Sequence, residues 1–470
     1  MSIPVLSVPQ MREWERATWA TGVKEEEVIR RVGKRVARRA RKLTRPGDTV
    51  LFLLGKGHNG DDARAAAKQL EERRVKQLEM FLADSSLLPL EMALAEKTAL
   101  VVDGLFGIGL NRPLSEAWRK IIDTLNASRI PVLAIDVPSG LNAATGETFG
   151  TAVQAAVTLT VGAPKTGLMT TAAAPFVGRL EVTEDVGLIP CPLRAELNWI
   201  QPDDFEHFPP TRPVNGHKGT FGHATIVAGS LGFHGAAVLA TRGAQRAQPG
   251  LTTLFTQENV YLPIAAQLQS AMVNAWSDQT PLPPNTTAAL VGPGLAAPET
   301  TAKLKPLAQQ LWREAGFPVI FDASALDWLE PATAPLTAPR VITPHPGEAA
   351  RLLNRSSAAV QADRVGALRE LSQKFGGCSV VLKGHQTLIG RATGNIFVNS
   401  SGNPQLAQGG SGDLLAGFIT GLLAQPALQA NVEPTLCYAV WQHGAAADNL
   451  SLTRHNWTVE DLAAEIGNAR

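Results

Sequence analysis

The sequence predicts an α/β protein in which a first domain built on a parallel sheet is followed by a larger α/β domain. Short apolar runs rich in Val, Ile and Leu recur along the chain, and many of them end in Gly or Asp. Stretches with helical spacing separate these runs, which is typical of parallel strands covered by helices on both faces. The length of 470 residues exceeds what one hydrophobic core usually serves, so two domains are expected.

The first half contains five apolar runs that predict strands, at 49–55, 99–105, 132–137, 155–162 and 179–186. Helical spacing predicts helices at 63–73 and 114–125. A further amphipathic helix is predicted over 30–45, where nine Lys and Arg residues occur without an acid. We interpret its basic side as a solvated face, with a subunit contact or an acidic partner as the alternative.

A polar stretch with four prolines and no periodicity, at 201–218, separates the two halves and predicts a linker or entry loop. We therefore place the domains at 1–203 and 204–470. In the second half the apolar runs restart, and they predict strands at 224–230, 288–294, 318–323, 340–344, 379–384 and within 387–400.

Composition excludes several classes of protein. Apolar residues make up 44% and charged residues 18% of the chain, as in folded globular proteins. A net charge of +1 excludes an overall basic field for nucleic acid. Three widely separated cysteines argue against a disulfide framework, and no apolar run is long enough for a membrane helix. We expect a cytoplasmic enzyme with small-molecule substrates and no nucleic-acid or membrane partner.

Polar residues follow four of the predicted strands in the first half, where open parallel sheets bind ligands. They lie in the segments 55–62, 103–109, 136–140 and 162–165. Asn59, Asp103 and Ser139 offer hard oxygen atoms with a single carboxylate, a set that suits an alkali or alkaline-earth cation. Asp136 stands at a strand end, where it could move a proton.

These segments resemble the epimerase domain of the NAD(P)H-hydrate repair enzymes over roughly residues 1–200. The shared patterns are GxGxNGxD, VDxLxGxGL, AIDxPSGL and a Lys near GxPK. The resemblance implies a Rossmann-like sheet that interconverts the R and S epimers of hydrated NADH and NADPH. It implies a potassium ion held by Asn59, Asp103 and Ser139, and Asp136 as the acid/base that contacts the substrate. It also implies a substrate-binding set of His58, Asn59, Gly60, Asp61, Asp62, Gly107, Ile108, Gly109, Leu110, Asn111, Arg112, Pro113 and Asp136.

Two departures from the family pattern concern the glycine-rich segment and the helix before it. Asp61 replaces a glycine, which adds a negative charge and, if that position needs a positive φ, a conformational cost. Ala63 replaces another glycine, and the Met-Glu and Ala-Gly pairs of the family's preceding helix are absent from 28–33. A first domain without epimerase activity, which only binds a nucleotide or supports an oligomer, is therefore the alternative.

The strongest local signal in the second half is the run Gly409-Gly410-Ser411-Gly412-Asp413, which opens an apolar helix. Backbone N–H groups and the helix dipole at such a turn form an anion hole for a transferring phosphoryl group. A carboxylate beside that hole can take or give a hydroxyl proton, which makes Asp413 a candidate acid/base.

The second half resembles the ribokinase-like superfamily and, more closely, the ADP-dependent NAD(P)H-hydrate dehydratases. The shared motifs span 216–448: HKGxxG, AGSLGxxGA, VGPGL, TPHPGEAARLL, VLKGxxT, GNxxLAxGGSGDxLAG and HGAAAD. The resemblance implies that Asp413 contacts the hydrated dinucleotide together with Ala236, Gly294 and His345. It implies binding of ADP with Mg²⁺ by Lys383, Gly384, His385, Gln386, Thr387 and Gly412.

The sequence therefore predicts a bifunctional enzyme, a lyase joined to an isomerase, that repairs hydrated NADH and NADPH. The dehydratase would consume ADP and release AMP and phosphate, and the epimerase would supply its S epimer. A kinase for a small alcohol is the alternative for the second half, because it would use the same glycine-rich turn. We expect a homo-oligomer.

Overall fold

The computed structural model describes residues 2–80, 87–277, 281–332 and 338–469, without the side chains of 298–302. The chain divides into two compact units, of which the first comprises residues 3–196. The second comprises residues 197–470 and also includes the residues before Ile3. The predicted boundary at 203/204 lies in the segment that follows the first strand of the second unit.

The first unit alternates strands with helices. Its strands are β1 (Ile3–Pro4), β2 (Thr49–Leu54), β3 (Arg74–Glu79), β4 (Thr98–Gly104), β5 (Val132–Ile135), β6 (Val157–Val161) and β7 (Arg179–Thr183). Its helices are α1 (Val8–Trp19), α2 (Glu25–Leu43), α3 (His58–Ala67), α4 (Leu88–Ala95), α5 (Glu116–Ala127) and α6 (Ala174–Val177). A short 3-10 helix spans Thr166–Met169.

The sheet of the first unit is parallel and runs β3-β2-β4-β5-β6-β7. The order reverses at β2 and β4, so the carboxyl ends of these two strands form the crevice where doubly wound folds bind ligands. The buried side chains of α2 include Val28, Val32, Val36, Ala37 and Ala40, which confirms the predicted amphipathic helix.

The second unit is larger and carries the remaining elements. Its strands are β8 (Leu197–Trp199), β9 (His223–Val227), β10 (Leu251–Thr256), β11 (Met272–Ala275), β12 (Ala288–Val291), β13 (Val319–Phe321), β14 (Arg340–Ile342), β15 (Ser379–Leu382), β16 (Leu388–Gly390) and β17 (Ile396–Val398). Its helices are α7 (His234–Arg246), α8 (Glu258–Ala265), α9 (Pro298–Glu314), α10 (Pro346–Leu353), α11 (Ser357–Ala362), α12 (Arg364–Lys374), α13 (Ser411–Leu423), α14 (Pro426–Gln429), α15 (Val432–Thr453) and α16 (Val459–Glu465).

In this unit the strands run β11-β10-β9-β12-β13-β14-β15-β16-β17-β8. The strands from β11 to β15 are parallel, β16 is antiparallel to both of its neighbours, and β8 is parallel to β17. The strand order reverses at β9 and β12, which gives the second unit its own crevice. The mixed edge of the sheet is a difference from a purely parallel arrangement.

Helix α13 lies unusually close to α7, because glycines occupy the crossing. A Cβ atom at Gly417 would lie 1.8 Å from the Ala240 carbonyl oxygen, and one at Gly243 would lie 2.1 Å from the Leu414 carbonyl oxygen. Side chains larger than hydrogen cannot occupy these positions without separating the helices. This contact fixes the first turn of α13, which carries the glycine-rich run.

Candidate functional site

The crevice of the first unit is formed by tight backbone contacts between the segments that follow β2 and β4. A Cβ atom at Gly55 would lie 2.1 Å from the Leu105 carbonyl oxygen, and one at Gly60 would lie 2.0 Å from the Gly55 carbonyl oxygen. These glycines therefore bring the start of α3 against the end of β2, and the end of β2 against the segment that follows β4.

Asn59, Asp103 and Ser139 are brought together at this crevice, although they come from three separate segments. The Ser139 hydroxyl donates to Asp103 Oδ1 at 2.6 Å, and the Ser139 N–H donates to Asp103 Oδ2 at 2.8 Å. Asn59 Nδ2 donates to the Phe106 carbonyl at 2.9 Å, and the Phe106 N–H donates to Ser139 Oγ at 2.9 Å. One network thus joins the three predicted ligands.

The electrostatics of this network fit a monovalent cation. Asp103 is 0% exposed, and burial raises its pKa against the hydrogen bonds from Ser139 and Leu105. No cationic side chain pairs with Asp103 among the described residues. Oxygen donors around one uncompensated carboxylate are the chemistry that an alkali cation requires.

Asp136 forms the second feature of this crevice, at the end of β5. Its backbone has a left-handed φ of 64°, which is uncommon for a residue with a side chain and holds the carboxylate at the strand end. Asp136 Oδ1 pairs with the Lys165 ammonium and accepts from the Val161 N–H at 3.0 Å. Lys165 is 1% exposed and also donates to Thr160 Oγ1 at 3.0 Å.

Two further carboxyl groups face this pair. Burial raises the pKa of Asp62 well above its usual value, and the charge of Asp136 raises it further. Burial likewise raises the pKa of Glu15 in α1, with Asp136 as the next cause. The crevice therefore contains an ion pair next to carboxyl groups that keep their protons to a higher pH than free acids do.

The segment 58–62 is the first turn of α3 rather than a loop, and the predicted helix at 63–73 begins earlier and ends earlier than expected. Asp61 lies within this helix and has no positive φ, so the conformational cost considered from the sequence does not arise. Its carboxylate pairs with Arg64 at 2.9 Å, and His58 Nδ1 lies 2.7 Å from Glu25 Oε1.

The second predicted substrate segment follows β4. Gly107 lies beside the Asn59 amide, since a Cβ atom at this position would be 3.6 Å from Asn59 Oδ1. The residues after it are more exposed, with Gly109, Asn111, Arg112 and Pro113 open to solvent. The segment thus borders the oxygen cluster at one end only.

In the second unit, the segments after β9 and β12 meet at the strand-order reversal. The Gly229 N–H donates to the Pro293 carbonyl at 2.9 Å, and the Ser230 hydroxyl donates to the Gly294 carbonyl at 2.6 Å. A Cβ atom at Gly294 would lie 3.0 Å from the Ala236 Cβ. The predicted substrate residues Ala236 and Gly294 are therefore neighbours across the crevice.

Asp413 lies in the first turn of α13. The helix begins directly after Gly410, which has a left-handed φ of 93°. Burial raises the pKa of Asp413 to about 7, with Asp322 and Glu348 also raising it and Lys383 lowering it. A carboxyl group with a pKa near neutrality is suited to proton transfer at physiological pH.

Lys383 is the cation of this cluster. Its ammonium lies 2.8 Å from Asp322 Oδ1 and 4.0 Å from Glu348 Oε2, and a Cβ atom at Gly412 would be 3.2 Å from it. Burial lowers the pKa of Lys383, but the nearby carboxylates outweigh this effect and raise it. Its charge is thus largely balanced by protein carboxylates.

His345, the third predicted substrate residue, is the N-cap of α10. Its Nδ1 accepts from the N–H groups of Gly347 at 3.0 Å and Glu348 at 3.3 Å. This arrangement leaves the proton of the neutral ring on Nε2, where the side chain is half exposed and can contact a ligand.

Several residues of these sites were absent from the predicted site set. They are Glu15, Lys165, Asp322, Glu348 and His443. His443 of α15 is buried behind the glycine-rich turn, and burial lowers its pKa to about 4 against a hydrogen bond with the Ser411 backbone. The quoted motifs HGAAAD, TPHPGEAARLL and GxPK contain His443, Glu348 and Lys165, respectively. Glu15 and Asp322 lie outside the quoted motifs.

A site for a divalent metal would need ligands other than protein side chains in the described part of the chain. Among the described residues, no three or more His, Cys, Asp or Glu side chains are arranged to hold a metal ion. A divalent cation at Asp413 would thus depend on phosphate and water oxygens for most of its ligands.

Comparison with known proteins adds two family matches. A model described as NAD(P)H-hydrate dehydratase matches residues 224–468, and one described as YjeF-related protein N-terminus matches residues 74–167. A bifunctional NAD(P)H-hydrate repair enzyme of Coxiella burnetii is 34% identical over 466 residues, which cover 93% of each chain. The chain belongs to the family of bifunctional NAD(P)H-hydrate repair enzymes. The Escherichia coli member is 31% identical and covers 96% of this chain and 91% of its own.

Solved structures resemble the second half. A ribokinase-like superfamily protein of Enterococcus faecalis is 27% identical and covers 58% of this chain and 95% of its own, with a TM-score of 0.51. An ADP/ATP-dependent NAD(P)H-hydrate dehydratase from Bacillus subtilis, co-crystallised with ATP and Mg²⁺, is 32% identical and covers 55% of this chain and 92% of its own, with a TM-score of 0.49.

The comparisons confirm the fold class and the repair-enzyme family predicted from the sequence. The roles of individual residues and the potassium ion stay predictions. Within the described residues, no helix is long and apolar enough to span a bilayer.

Proposed function

We propose that this chain restores hydrated NADH and NADPH, with an epimerase in the first unit and an ADP-dependent dehydratase in the second. Asp413 carries the proposal, because it combines a pKa near 7 with a position beside Lys383 at the glycine-rich start of α13. Membership of the repair-enzyme family supports the substrate class.

The proposed dehydration begins with Asp413 as general base. The carboxylate takes the proton from the hydroxyl at C6 of the hydrated ring, and this oxygen attacks the β-phosphorus of ADP while the bond to the α-phosphate oxygen breaks. AMP leaves, and the C6 oxygen now carries a phosphoryl group. Loss of phosphate from C6 and of a proton from C5 then restores the ring double bond. Phosphorylation is needed because hydroxide is a poor leaving group.

The two ligands have separate places in this scheme. The hydrated ring would lie at the crevice between Ala236 and Gly294 and contact His345. The adenine nucleotide would lie against 383–387 and Gly412, where backbone N–H groups can bind phosphate. Mg²⁺ supplies positive charge to the phosphates when bound, with Asp322, Glu348 and Asp413 as the nearby carboxylates.

The proposed epimerase uses the Asp136–Lys165 pair. Release of the C6 hydroxyl, assisted by the ring nitrogen, and return of water to the other face exchange the epimers. Asp62 holds its proton to higher pH than a free acid and can donate it to the leaving hydroxyl, while Asp136 can accept the proton of incoming water. A potassium ion at Asn59, Asp103 and Ser139 would supply positive charge beside this site.

The remaining predictions concern setting and assembly. We propose a cytoplasmic enzyme that acts on small molecules, without a nucleic-acid or membrane partner, as a homo-oligomer. The near-zero net charge supports the absence of nucleic-acid binding.

The test is recovery of NADH absorbance from purified S and R epimers of hydrated NADH. The full-length chain would receive ADP and magnesium, with potassium or with an organic cation at equal ionic strength. We expect rapid recovery of the S epimer in both salts, and recovery of the R epimer above its spontaneous epimerisation rate only with potassium.

The two halves of the proposal fail in different ways. Recovery of the S epimer alone would reject the epimerase and favour a first unit without activity. No recovery of either epimer, with nucleotide consumed by a small alcohol, would reject the dehydratase and favour the kinase.

A further inference from the structure

Arg364, the first residue of α12, contacts the backbone carbonyl groups of the predicted nucleotide segment 383–387 and of Leu382 before it. Its Nη1 donates to the carbonyls of His385 at 2.5 Å and Gln386 at 3.3 Å. Its Nη2 donates to the carbonyls of Leu382 at 3.1 Å and Lys383 at 3.5 Å. One planar guanidinium therefore holds four successive or near-successive carbonyl groups, which an ammonium group lacks the geometry to do.

The clamp determines where the backbone N–H groups point. In a planar trans peptide, the carbonyl of one residue and the N–H of the next point in opposite directions. With the carbonyls of Lys383, His385 and Gln386 held toward Arg364, the N–H groups of Gly384, Gln386 and Thr387 point away from it. None of these three N–H groups meets an acceptor in the described part of the chain.

Unusual backbone angles accompany this arrangement. Gly384 has a φ of 135° and Gln386 has a φ of 52°, both in the region that residues with side chains rarely adopt. Successive N–H groups that converge in such a segment form a concave site for anions. The strain at Gln386 persists because the surrounding contacts, including those from Arg364, determine the backbone.

The positive charge of Arg364, unlike that of Lys383, is not balanced by a paired carboxylate among the described residues. Lys383 is paired with Asp322, whereas Arg364 forms no ion pair with a carboxylate among the described residues. Burial lowers the pKa of Arg364 to about 10, so it stays charged at neutral pH. Its charge reaches the loop, because after burial it is the next cause that lowers the pKa of His385.

We propose that Arg364 is the positioning residue of the nucleotide site, which turns the N–H groups of Gly384, Gln386 and Thr387 toward the ADP phosphates and supplies the positive charge that Lys383 does not. This inference rests on the proposed function of that segment. It places Arg364 behind the loop, so it acts through the backbone rather than by touching the nucleotide.

The experiment compares Arg364→Met and Arg364→Lys with the unchanged full-length chain. Dissociation constants would be measured by calorimetry for ADP and for adenosine, which lacks phosphates. We expect ADP binding to weaken about tenfold or more in Arg364→Met, with adenosine binding within about twofold, since hydrogen bonds to charged groups have energies of this order. Arg364→Lys should recover part of the loss, because it keeps the charge without the fork.

Arg369→Met is the matched control. Arg369 lies on the same helix and donates to the carbonyls of Arg391 and Gly394, away from 383–387. It should lower thermal stability by an amount similar to that of Arg364→Met without changing the ratio of ADP to adenosine affinity. An unchanged ratio in a folded Arg364→Met, or an equal change in Arg369→Met, would overturn the inference. Failure of the unchanged chain to bind ADP would instead reject the proposed function.

Discussion

At the scale of single residues, the proposed general base Asp413 lowers the stability of the folded chain when it is ionised. Its pKa of about 7 lies above the ordinary value of 3.8, with burial as the main cause. The folded chain therefore holds this proton more tightly than the unfolded chain. Between pH 3.8 and about pH 7 the folded state binds more protons than the unfolded state. The contribution of Asp413 to stability therefore decreases as the pH rises.

Asp413→Asn should separate activity from stability. We expect turnover of the S epimer to fall at least about a hundredfold, because the general base is lost. At pH 8 the variant should be more stable than the unchanged chain, by on the order of a few kcal/mol, and this gain should decrease toward pH 4. Thermal and urea unfolding across this pH range would measure it.

The unchanged chain should show kcat/KM for the S epimer that decreases as pH falls through about 7, because only ionised Asp413 accepts the hydroxyl proton. Asp327→Asn is the control, since Asp327 is half exposed and pairs with Arg351 on the surface. It should leave both the pH profile and the stability nearly unchanged. A variant Asp413→Asn that is less stable than the chain at pH 8 would contradict the role of burial.

At the scale of elements, the crossing of α7 and α13 positions the glycine-rich turn. A Cβ atom at Gly417 would overlap the Ala240 carbonyl, so Gly417→Ala must separate the helices. We expect a loss of stability of about 1–3 kcal/mol and weaker ADP binding, because the first turn of α13 moves with its helix.

Gly235→Ala is the matched control for this change. Gly235 lies on α7, and no atom comes within 4 Å of an added Cβ. Alanine should therefore keep or slightly raise stability, since it favours helix. Urea unfolding of both variants compares them. Equal stability of Gly417→Ala and the unchanged chain would show that the crossing tolerates a wider separation.

The elements also show what local pattern can predict. The apolar runs located the central strands, because buried parallel strands have near-continuous hydrophobic sequences. They missed β3, whose residues Arg74–Glu79 are mostly polar or half exposed, and β8, β10 and β11. The start of α3 was missed because His, Asn, Gly and Asp favour helices weakly, and its packing against Gly55 determines the conformation.

The same distinction holds for the sites. Asp413 and Gly412 were predicted because the glycine-rich run and its carboxylate are adjacent in sequence. The Asp322–Lys383 pair joins residues 61 positions apart and depends on β13, β14 and β15 being neighbours. The contact of Lys165 with Asp136 depends likewise on β5 and β6. Such pairs follow from strand order, which local patterns do not specify.

At the scale of the whole molecule, each unit has its own strand-order reversal and its own proposed acid/base carboxyl group. The residues around Asp136 all belong to the first unit, and those around Asp413 all belong to the second. The proposed reactions share a substrate but no side chain. A substitution in one site should therefore leave the chemistry of the other unchanged.

Lys165→Met tests this separation. The ammonium is 1% exposed and pairs with Asp136, so its loss leaves the Asp136 carboxylate without its partner and should slow interconversion of R and S at least about a hundredfold. Recovery of NADH from the S epimer should stay within about twofold of the unchanged chain. Chromatographic separation of the epimers and absorbance at the NADH maximum measure the two rates.

Lys120→Met controls for loss of a lysine from the same unit, because Lys120 is exposed on α5 and pairs with Glu116. It should change neither rate. Thermal unfolding of Lys165→Met distinguishes a local loss of chemistry from unfolding of the first unit, which would appear as an early transition. If Lys165→Met stays folded and slows the S epimer as strongly as the exchange of epimers, the two sites are coupled. If Lys165→Met slows the exchange of epimers far more than NADH recovery from the S epimer, the two crevices carry out independent reactions on the same damaged cofactor.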